Sequence, residues 1–190
     1  MLGNDVVDLG DPETADRHRR FDARVFHPTE RALIDASPTP ARTRWLLWAA
    51  KESAYKAARK ADPRTVFTPS RFVVRVEDGG HATVDAGNRA FRAEVASGPH
   101  VVHVVAHALD DAPGGWCAAV TTCPPGVSPS DAVRRLAIAR LAAHLDTAPD
   151  DLAIRRDGRI PAVWIGGIRS NADLSLAHHG RFVAFACRLP

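Results

Sequence analysis

The segment Trp48–Lys56 carries the densest group of side chains that could do chemistry. Glu52 and Lys56 are four residues apart, and residues with this spacing share a face of a helix. The carboxylate can hold a hard cation, and the ammonium groups of Lys56 and the nearby Lys51 can meet phosphate oxygens. An exposed Glu–Lys ion pair of little energetic worth would give the same pattern. The segment therefore predicts a metal and phosphate site only if other residues converge on it.

Two aspartates near the start of the chain are candidates for completing a metal site. Asp5 and Asp8 lie in residues 2–9, where apolar and β-branched residues predict a short strand. Successive side chains of a strand point to opposite faces, so Asp5 and Asp8 should not hold one metal together. Magnesium takes few protein carboxylates, so Asp5 with Glu52 would suffice. For Asp8 we expect a cap or a surface acid.

A pair of histidines near the end of the chain is the third candidate. His178 and His179 follow a run that predicts a buried strand, and they precede Gly180 and Arg181. A histidine at a strand end, with an arginine beside it, can donate hydrogen bonds to phosphate. Adjacent histidines are also common on loops without function. A zinc site is weakly supported because no other ligand has suitable spacing.

Periodicity and turn residues predict the elements that must position these groups. Pro28–Glu30 indicates a helix start, and a longer helix is predicted from about Ala41 to Lys60. Short β-type runs fill residues 66–120, and Cys123–Pro129 is the clearest linker. Beyond the linker, a helix over about Asp131–Leu145, capped by its first residue or by the serine before it, leads into strands. The expected strands are 72–76, 82–84, 91–95, 100–105, 116–120, one from 150, 173–177 and 182–187.

Composition narrows the class of protein. The chain has 190 residues, of which 45% are hydrophobic and 25% charged, as expected for a globular protein. No apolar run approaches a membrane span and the start of the chain is unlike a signal peptide, so we expect a cytoplasmic protein without membrane contact. The three cysteines lack paired spacing and predict core residues. A net charge of +3 suits a partner that carries phosphate or carboxylate, whereas the single tyrosine and the lack of a basic, aromatic stripe argue against nucleic acid.

Together these segments resemble the 4′-phosphopantetheinyl transferase superfamily. The pattern of that family joins a Gly-x-Asp strand, a Trp-x-x-Lys-Glu-(Ala/Ser)-x-x-Lys helix and a Ser-His-(Ser)-Gly loop. Here the three parts are Gly3–Asp5, Trp48–Lys56 and Ala177–Gly180. The segment Arg24–Glu30 is also similar to a Phe-(Ser/Thr)-x-x-Glu stretch that precedes the family's helix. Three spaced motifs are far more specific than any one of them.

The order of the motifs separates two branches of that family. The histidine loop comes last here, as in the small holo-acyl-carrier-protein synthases, whereas it comes first in the surfactin-type enzymes. Residues 130–187 nevertheless resemble the N-terminal half of a surfactin-type enzyme, including its turn at Gly158–Pro161. The resemblance implies a surfactin-type enzyme in circularly permuted order, with residues 123–129 joining the former termini. The expected fold is α+β with two similar subdomains, residues 1–122 and 130–190, each an antiparallel sheet packed on a long helix and related by a pseudo-twofold axis.

The resemblance implies an enzyme that moves the 4′-phosphopantetheine group of coenzyme A to a serine of an acyl or peptidyl carrier protein, releasing 3′,5′-adenosine bisphosphate. Asp5 and Glu52 would hold magnesium, with manganese as an alternative, and Glu52 and Lys56 would be catalytic. Coenzyme A would lie between the two halves of a monomer. The residues implied in binding it are Lys51, Lys56, Arg134, Arg159 and His178.

Some residues depart from the family pattern. Val7 stands where surfactin-type enzymes have a second acid, so a water would complete the metal site. Ala177 replaces a serine, which predicts one phosphate hydrogen bond fewer, and Arg159 replaces a lysine. The alternative function is a binding module of the same fold that holds a carrier protein or coenzyme A without turnover. Pure binding would not need the metal pair of Asp5 and Glu52.

Overall fold

The chain folds into helices and antiparallel sheets, as predicted for an α+β protein, in a computed structural model that describes residues 1–15, 20–111, 115–158 and 160–189. The helices are α1 (Pro12–Ala15), α2 (Phe21–Val25), α3 (Pro28–Ala36), α4 (Pro40–Ala61) and α5 (Pro129–Leu145). The strands are β1 (Leu2–Asp8), β2 (Val73–Val76), β3 (His81–Asp85), β4 (Ala90–Ser97), β5 (Val101–Ala108), β6 (Trp116–Thr122), β7 (Leu152–Asp157), β8 (Ile160–Ile165), β9 (Ile168–Arg169), β10 (Asp173–His179) and β11 (Phe182–Arg188). None of the described helices combines the length and hydrophobicity that crossing a membrane requires.

The first sheet has the strand order β1-β5-β4-β3-β2 and packs on the long helix α4. Small side chains on the buried face of α4 let the two approach closely. Gly3 is the point of closest approach, because a Cβ atom there would lie 2.1 Å from the carbonyl oxygen of Ser53. The glycine of the Gly-x-Asp motif therefore lets β1 pack closely against α4. Asp5, two residues further along the strand, lies on the same face and so also faces the helix. The buried small residues of α4 are Ala49, Ala50, Ser53, Ala54, Ala57 and Ala58.

The second sheet has the order β10-β11-β6 and packs on α5, while β7, β8 and β9 form a small third sheet. Helix α5 starts two residues earlier than predicted, since the Oγ atom of Ser128 accepts a hydrogen bond from the amide of Asp131 at 3.2 Å. The predicted cap at Ser130 or Asp131 is therefore wrong. Strand β6 precedes the linker, yet it pairs with β11 at the far end of the chain. A subdomain boundary at residue 122 would separate β6 from its partner.

A seam between β1 and β10 joins the first two sheets. The two strands lie side by side and run in the same direction, but they belong to different sheets. Amide groups of β1 donate hydrogen bonds to side chains of β10, each partner lying 171 positions further along the chain. The three bonds are Leu2 to Asp173 Oδ2 (2.5 Å), Asn4 to Ser175 Oγ (2.9 Å) and Asp8 to His179 Nδ1 (3.2 Å). Side chains, rather than a backbone ladder, therefore hold the sheets together here.

Candidate active site

Asp5, Glu52 and Lys56 meet between β1 and α4. Asp5 comes from the middle of the strand, and the other two residues come from successive turns of the helix. The Nζ atom of Lys56 donates hydrogen bonds to Asp5 Oδ1 at 2.8 Å and to the carbonyl oxygen of Asn4 at 2.9 Å. Burial, and then the negative charge of Asp5, raise the pKa of Glu52 to about 7, while Lys56 acts in the opposite direction. The structure thus brings together the predicted metal pair and the predicted catalytic lysine.

The two carboxylates have the donor chemistry that a hard divalent cation requires. Asp5 lies close enough to raise the pKa of Glu52, so a cation between them would relieve the repulsion. Magnesium is often held by one or two carboxylates, with waters and substrate phosphates as further ligands. Val7, which stands where the surfactin-type pattern has a second acid, is 1% exposed in the core of the first sheet. Within the described parts of the chain, no group of three or more His, Cys, Asp or Glu side chains forms a larger metal cluster.

Asp8 is buried on the other side of β1, where it holds the turn that follows β10. The Nε and NH2 atoms of Arg181 each donate a hydrogen bond of 2.7 Å to its carboxylate, and the amide of Gly10 donates another of 2.9 Å. These contacts, chiefly the side-chain hydrogen bonds of Arg181, hold the pKa of Asp8 well below its usual range. Gly180 fits closely, since a Cβ atom there would lie 2.7 Å from Asp8 Oδ2. The cap expected at Asp8 is present through Gly10, but the expected surface acid is wrong.

Lys51 points into the core, away from the carboxylate pair. Its side chain is fully buried and ion-paired with Glu30 at 2.7 Å. It also donates hydrogen bonds to the carbonyl oxygens of Pro69 (3.0 Å) and Phe72 (2.5 Å). Burial lowers the pKa of Lys51, and Glu30 opposes that effect. Because all three N–H groups have partners, the predicted contact of Lys51 with coenzyme A is replaced by a structural ion pair.

Glu30 fixes the elements around that ion pair. Its Oε2 atom also accepts a hydrogen bond of 2.7 Å from the amide of His27, which closes the capping box of α3. Its Oε1 atom accepts another of 2.7 Å from the amide of Val74 in β2. One buried carboxylate thus joins α3, α4 and the far edge of the first sheet. The sequence signal was the Arg24–Glu30 stretch, whose role is structural.

A cleft of about 270 Å³ opens beside Lys56, between α4 and the C-terminal part of the chain. One wall is mostly basic and the other mostly apolar. The basic wall includes Arg59 and Lys60, which were not among the predicted site residues. Their spacing of seven and eight residues from Glu52 was the sequence signal that could have identified them. The guanidinium of Arg59 donates a hydrogen bond to the hydroxyl of Tyr55 at 2.9 Å. The lining residues are Tyr55, Lys56, Arg59 and Lys60 from α4, and Ile160, Pro161, Ser175 and Leu176 from β8 and β10.

His178 is exposed at the end of β10. Alternation along the strand gives it the same face as Leu176, which lines the cleft. Ala177 faces the other way and packs against Val6 and Ala184 in a small buried cluster. A serine in place of Ala177 would therefore face β1, as Ser175 does on the same face of β10. The phosphate hydrogen bond expected to be missing here stays a prediction.

The described contacts of Arg134 do not include the carboxylate pair, and Arg159 is not described. Arg134 lies in the first turns of α5, where it donates hydrogen bonds to the carbonyl and hydroxyl oxygens of Ser130 at 2.7 and 2.5 Å. Arg159 lies outside the described residues, although Ile160 beside it lines the cleft. Their predicted contacts with coenzyme A stay predictions.

Comparison with known proteins agrees with the motifs. A sequence model of the 4′-phosphopantetheinyl transferase superfamily matches residues 1–120, which include β1 and α4 and therefore Asp5, Glu52 and Lys56. No curated protein matches the chain. The family match covers more than half of the 190 residues. The chain therefore belongs to the 4′-phosphopantetheinyl transferase superfamily.

Proposed function

We propose that the protein is a magnesium-dependent enzyme that transfers the 4′-phosphopantetheine group of coenzyme A to a serine of an acyl or peptidyl carrier protein. The products are the holo carrier and 3′,5′-adenosine bisphosphate. One observation carries the proposal: Asp5, Glu52 and Lys56 converge beside a basic cleft, in a chain of this superfamily. The serine oxygen would form a bond to the β-phosphorus of coenzyme A, while the bond to the bisphosphate breaks.

Asp5 and Glu52 would hold the magnesium ion, with manganese as an alternative. The bound ion supplies positive charge at the diphosphate of coenzyme A. Lys56 forms a direct ion pair of 2.8 Å with Asp5. Its side chain is 29% exposed, so the ammonium group can turn from Asp5 to a phosphate oxygen in the cleft. There it would stabilise charge that develops on the departing bisphosphate.

Glu52 is also our candidate for the general base. Its carboxylate lies with Asp5 and Lys56 between β1 and α4, at the site proposed for the reaction. It would accept the proton of the carrier serine directly or through a water. In this mechanism the protein contributes mainly positioning and preorganised charge, as phosphoryl transfer requires.

Coenzyme A would lie in the cleft between α4 and the C-terminal part of the chain. Lys56 and Arg59 offer cations from the helix wall of the cleft. His178, exposed at the end of β10 beyond the cleft residue Leu176, would offer a hydrogen-bond donor to a ligand that extends past the cleft. Arg134 and Arg159 would serve the outer phosphates. A carrier protein of acidic surface would be attracted by the net charge of +3.

The permuted order and the pseudo-twofold relation are part of the proposal. The first sheet on α4 and the second sheet on α5 repeat one architecture, an antiparallel sheet packed on a long helix. Two such units in one chain would build the cleft without a second copy, so we propose a cytoplasmic monomer. The contribution of β6 to the second sheet would reflect the former C-terminus of an unpermuted enzyme.

Mass spectrometry of apo carrier proteins incubated with coenzyme A and magnesium tests the function. We expect the mass gain of one phosphopantetheine group on the carrier, lost in Asp5→Ala and Glu52→Ala variants with unchanged circular dichroism. Wild-type activity in either variant would remove the metal assignment. Binding of coenzyme A or a carrier without any mass gain would instead establish the alternative, a binding module of the same fold.

A further inference from the structure

Lys60 is a buried cation in the seam between β1 and β10. Its Nζ atom donates hydrogen bonds to the carbonyl oxygens of Leu2 (2.8 Å) and Leu174 (2.7 Å), and to Asp173 Oδ1 (2.5 Å). The other oxygen of Asp173 accepts the amide hydrogen of Leu2 at 2.5 Å. The side chains of Lys60 and Asp173 are only 7% and 17% exposed. This pair therefore connects α4, β1 and β10 at one point.

The position of that pair matters because the cleft has two separately supported walls. Lys56 and Arg59 belong to α4, whereas Ser175 and Leu176 belong to β10. The α4 wall is fixed to β1 by close packing around Gly3, against Ser53 and Ala57 of the helix. The β10 wall meets β1 through the hydrogen bonds of the seam and through a small apolar cluster around Val6 and Ala177. Lys60 adds three hydrogen bonds at one end of this contact, beside the cleft. The spacing of the two walls at that end thus depends on the Lys60–Asp173 pair.

The reacting groups do not share this dependence. Asp5 lies in β1, and Glu52 and Lys56 lie in α4, so their mutual positions are fixed without β10. We propose that Lys60 and Asp173 are positioning residues that set the spacing of the two cleft walls, and with it the affinity for coenzyme A, while leaving the geometry of the reacting groups unchanged. This inference rests on the proposed function for the name of the ligand.

A direct role of Lys60 as a phosphate ligand is the competing explanation. Lys60 lines the cleft, but each of its three N–H groups already has a protein acceptor. The two explanations predict opposite effects of Asp173→Asn. If Lys60 is a phosphate ligand, removing the charge of Asp173 would free its ammonium group and tighten the binding of coenzyme A. If Lys60 is a positioning residue, the same substitution would loosen the seam and weaken binding.

The experiment compares the KM for coenzyme A and the kcat of carrier modification in Lys60→Met, Asp173→Asn and the double variant. We expect each to raise KM by about tenfold with kcat within about twofold of wild type. The double variant leaves no unpaired carboxylate, so it should fold at least as well as Lys60→Met. Arg44→Met is the matched control. Arg44, like Lys60, donates three hydrogen bonds and is paired with an aspartate, but all three bonds go to Asp22 within the first half of the chain. Its KM should stay at the wild-type value.

Two further measurements separate this inference from the proposed function. Calorimetric titration with coenzyme A and magnesium reports affinity whether or not transfer occurs. Hydrogen exchange at the amides of Leu2 and Asn4 reports opening of the seam, and both should exchange faster in the Lys60 and Asp173 variants. An unchanged or lower KM and dissociation constant in Asp173→Asn would overturn the inference. An equal rise in Arg44→Met would also overturn it, because general destabilisation would then explain the effect.

Discussion

Strand β1 has two neighbours that hold it in different ways. Against α4 it packs so closely that Gly3 has no room for a Cβ atom. Against β10 it is joined by side chains, with Asp173, Ser175 and His179 each accepting one amide hydrogen. The first contact is determined by shape and tolerates little change, whereas the second combines a few polar groups with a small apolar cluster around Val6 and Ala177. The difference suggests that the close contact fixes the reacting groups and the polar seam fixes the ligand cleft.

This division matches what each part must do. Phosphoryl transfer loses rate steeply when reacting groups move by about an ångström, so the carboxylate pair benefits from a rigid support. A ligand cleft tolerates small adjustments of its walls at the cost of affinity. Substitutions at the two contacts of β1 and at the buried ion pairs should therefore differ in whether they change stability, catalysis or affinity.

Lys51→Met should destabilise the fold most, because it leaves the carboxylate of Glu30 buried without its cation. We expect the free energy of unfolding to fall by about 3–5 kcal/mol. Urea denaturation measures that loss. Coenzyme A affinity of the folded fraction should not change, since Lys51 is fully buried. A stable Lys51→Met variant with weakened affinity for coenzyme A would show that Lys51 contacts coenzyme A and that the binding cleft lies elsewhere on α4.

Glu52→Gln should remove a pH-dependent penalty in the metal-free protein. The pKa of Glu52 is raised to about 7 from the model-compound value of 4.5, so between these pH values the folded protein holds a proton that the unfolded chain has released. The free energy of unfolding therefore falls as pH rises through this window. The Gln variant should match wild type well below pH 4.5 and exceed it by about 3 kcal/mol well above pH 7.

Denaturation of both proteins in a chelator, from pH 4 to pH 8, checks this sign. Subtracting the two curves isolates Glu52 from other groups that titrate in the same range, provided that the substitution alters nothing else. Magnesium should then stabilise wild type at pH 8 more than the variant, because only wild type keeps both carboxylates. A difference that does not vary with pH would show that Glu52 is not buried beside Asp5 in the folded protein.

Gly3→Ala should destabilise the fold less than Lys51→Met does, and it should reduce catalysis more. The added Cβ atom would meet backbone atoms of α4, at Ser53 O (2.1 Å) and Ala57 N (2.8 Å), so the helix must shift. Overpacking of this kind costs about 1–3 kcal/mol. We expect kcat to fall by at least tenfold, because α4 carries Glu52 and Lys56 away from Asp5.

Gly98→Ala is the control for that substitution. A Cβ atom there would make only an ordinary contact, 3.5 Å from Val101 Cγ1. Its kcat and stability should stay close to wild type. If Gly3→Ala kept full activity, the contact between β1 and α4 would not be what positions the reacting groups.

The sequence predicted one side of this comparison better than the other. Regular spacing located α4, and strand alternation correctly separated Asp5 from Asp8. Periodicity does not reveal what covers a neighbouring helix position, so the enclosure of Lys51 by Glu30 was missed. The Arg24–Glu30 stretch was noticed, but only the folded chain shows its carboxylate reaching three elements.

The seam was invisible to the same reasoning because it is non-local and made by side chains. Its partners are 171 positions apart, and no short pattern relates Leu2 to Asp173. Lys60 carries the helical spacing of the cleft residues, yet its charge is used between strands rather than toward a ligand. The pairing of β6 with β11 was missed for a similar reason, since a single strand can join any open sheet edge.

Ala177→Ser offers the smallest and most specific change to the seam. Alternate amides of β1 donate to side chains of β10, but at Val6 the facing residue is Ala177, which has no acceptor. By the same alternation the amide of Val6 is directed toward Ala177, and Val6 is 1% exposed. A serine hydroxyl could supply the acceptor and stabilise the fold by about 1 kcal/mol, which corresponds to a rise of about 2–4 °C in Tm. Calorimetry measures the shift in Tm. Ala184→Ser, in the same cluster, is the control and should lower Tm. An unchanged or lower Tm for Ala177→Ser would mean that β1 and β10 are spaced by packing rather than by hydrogen bonds.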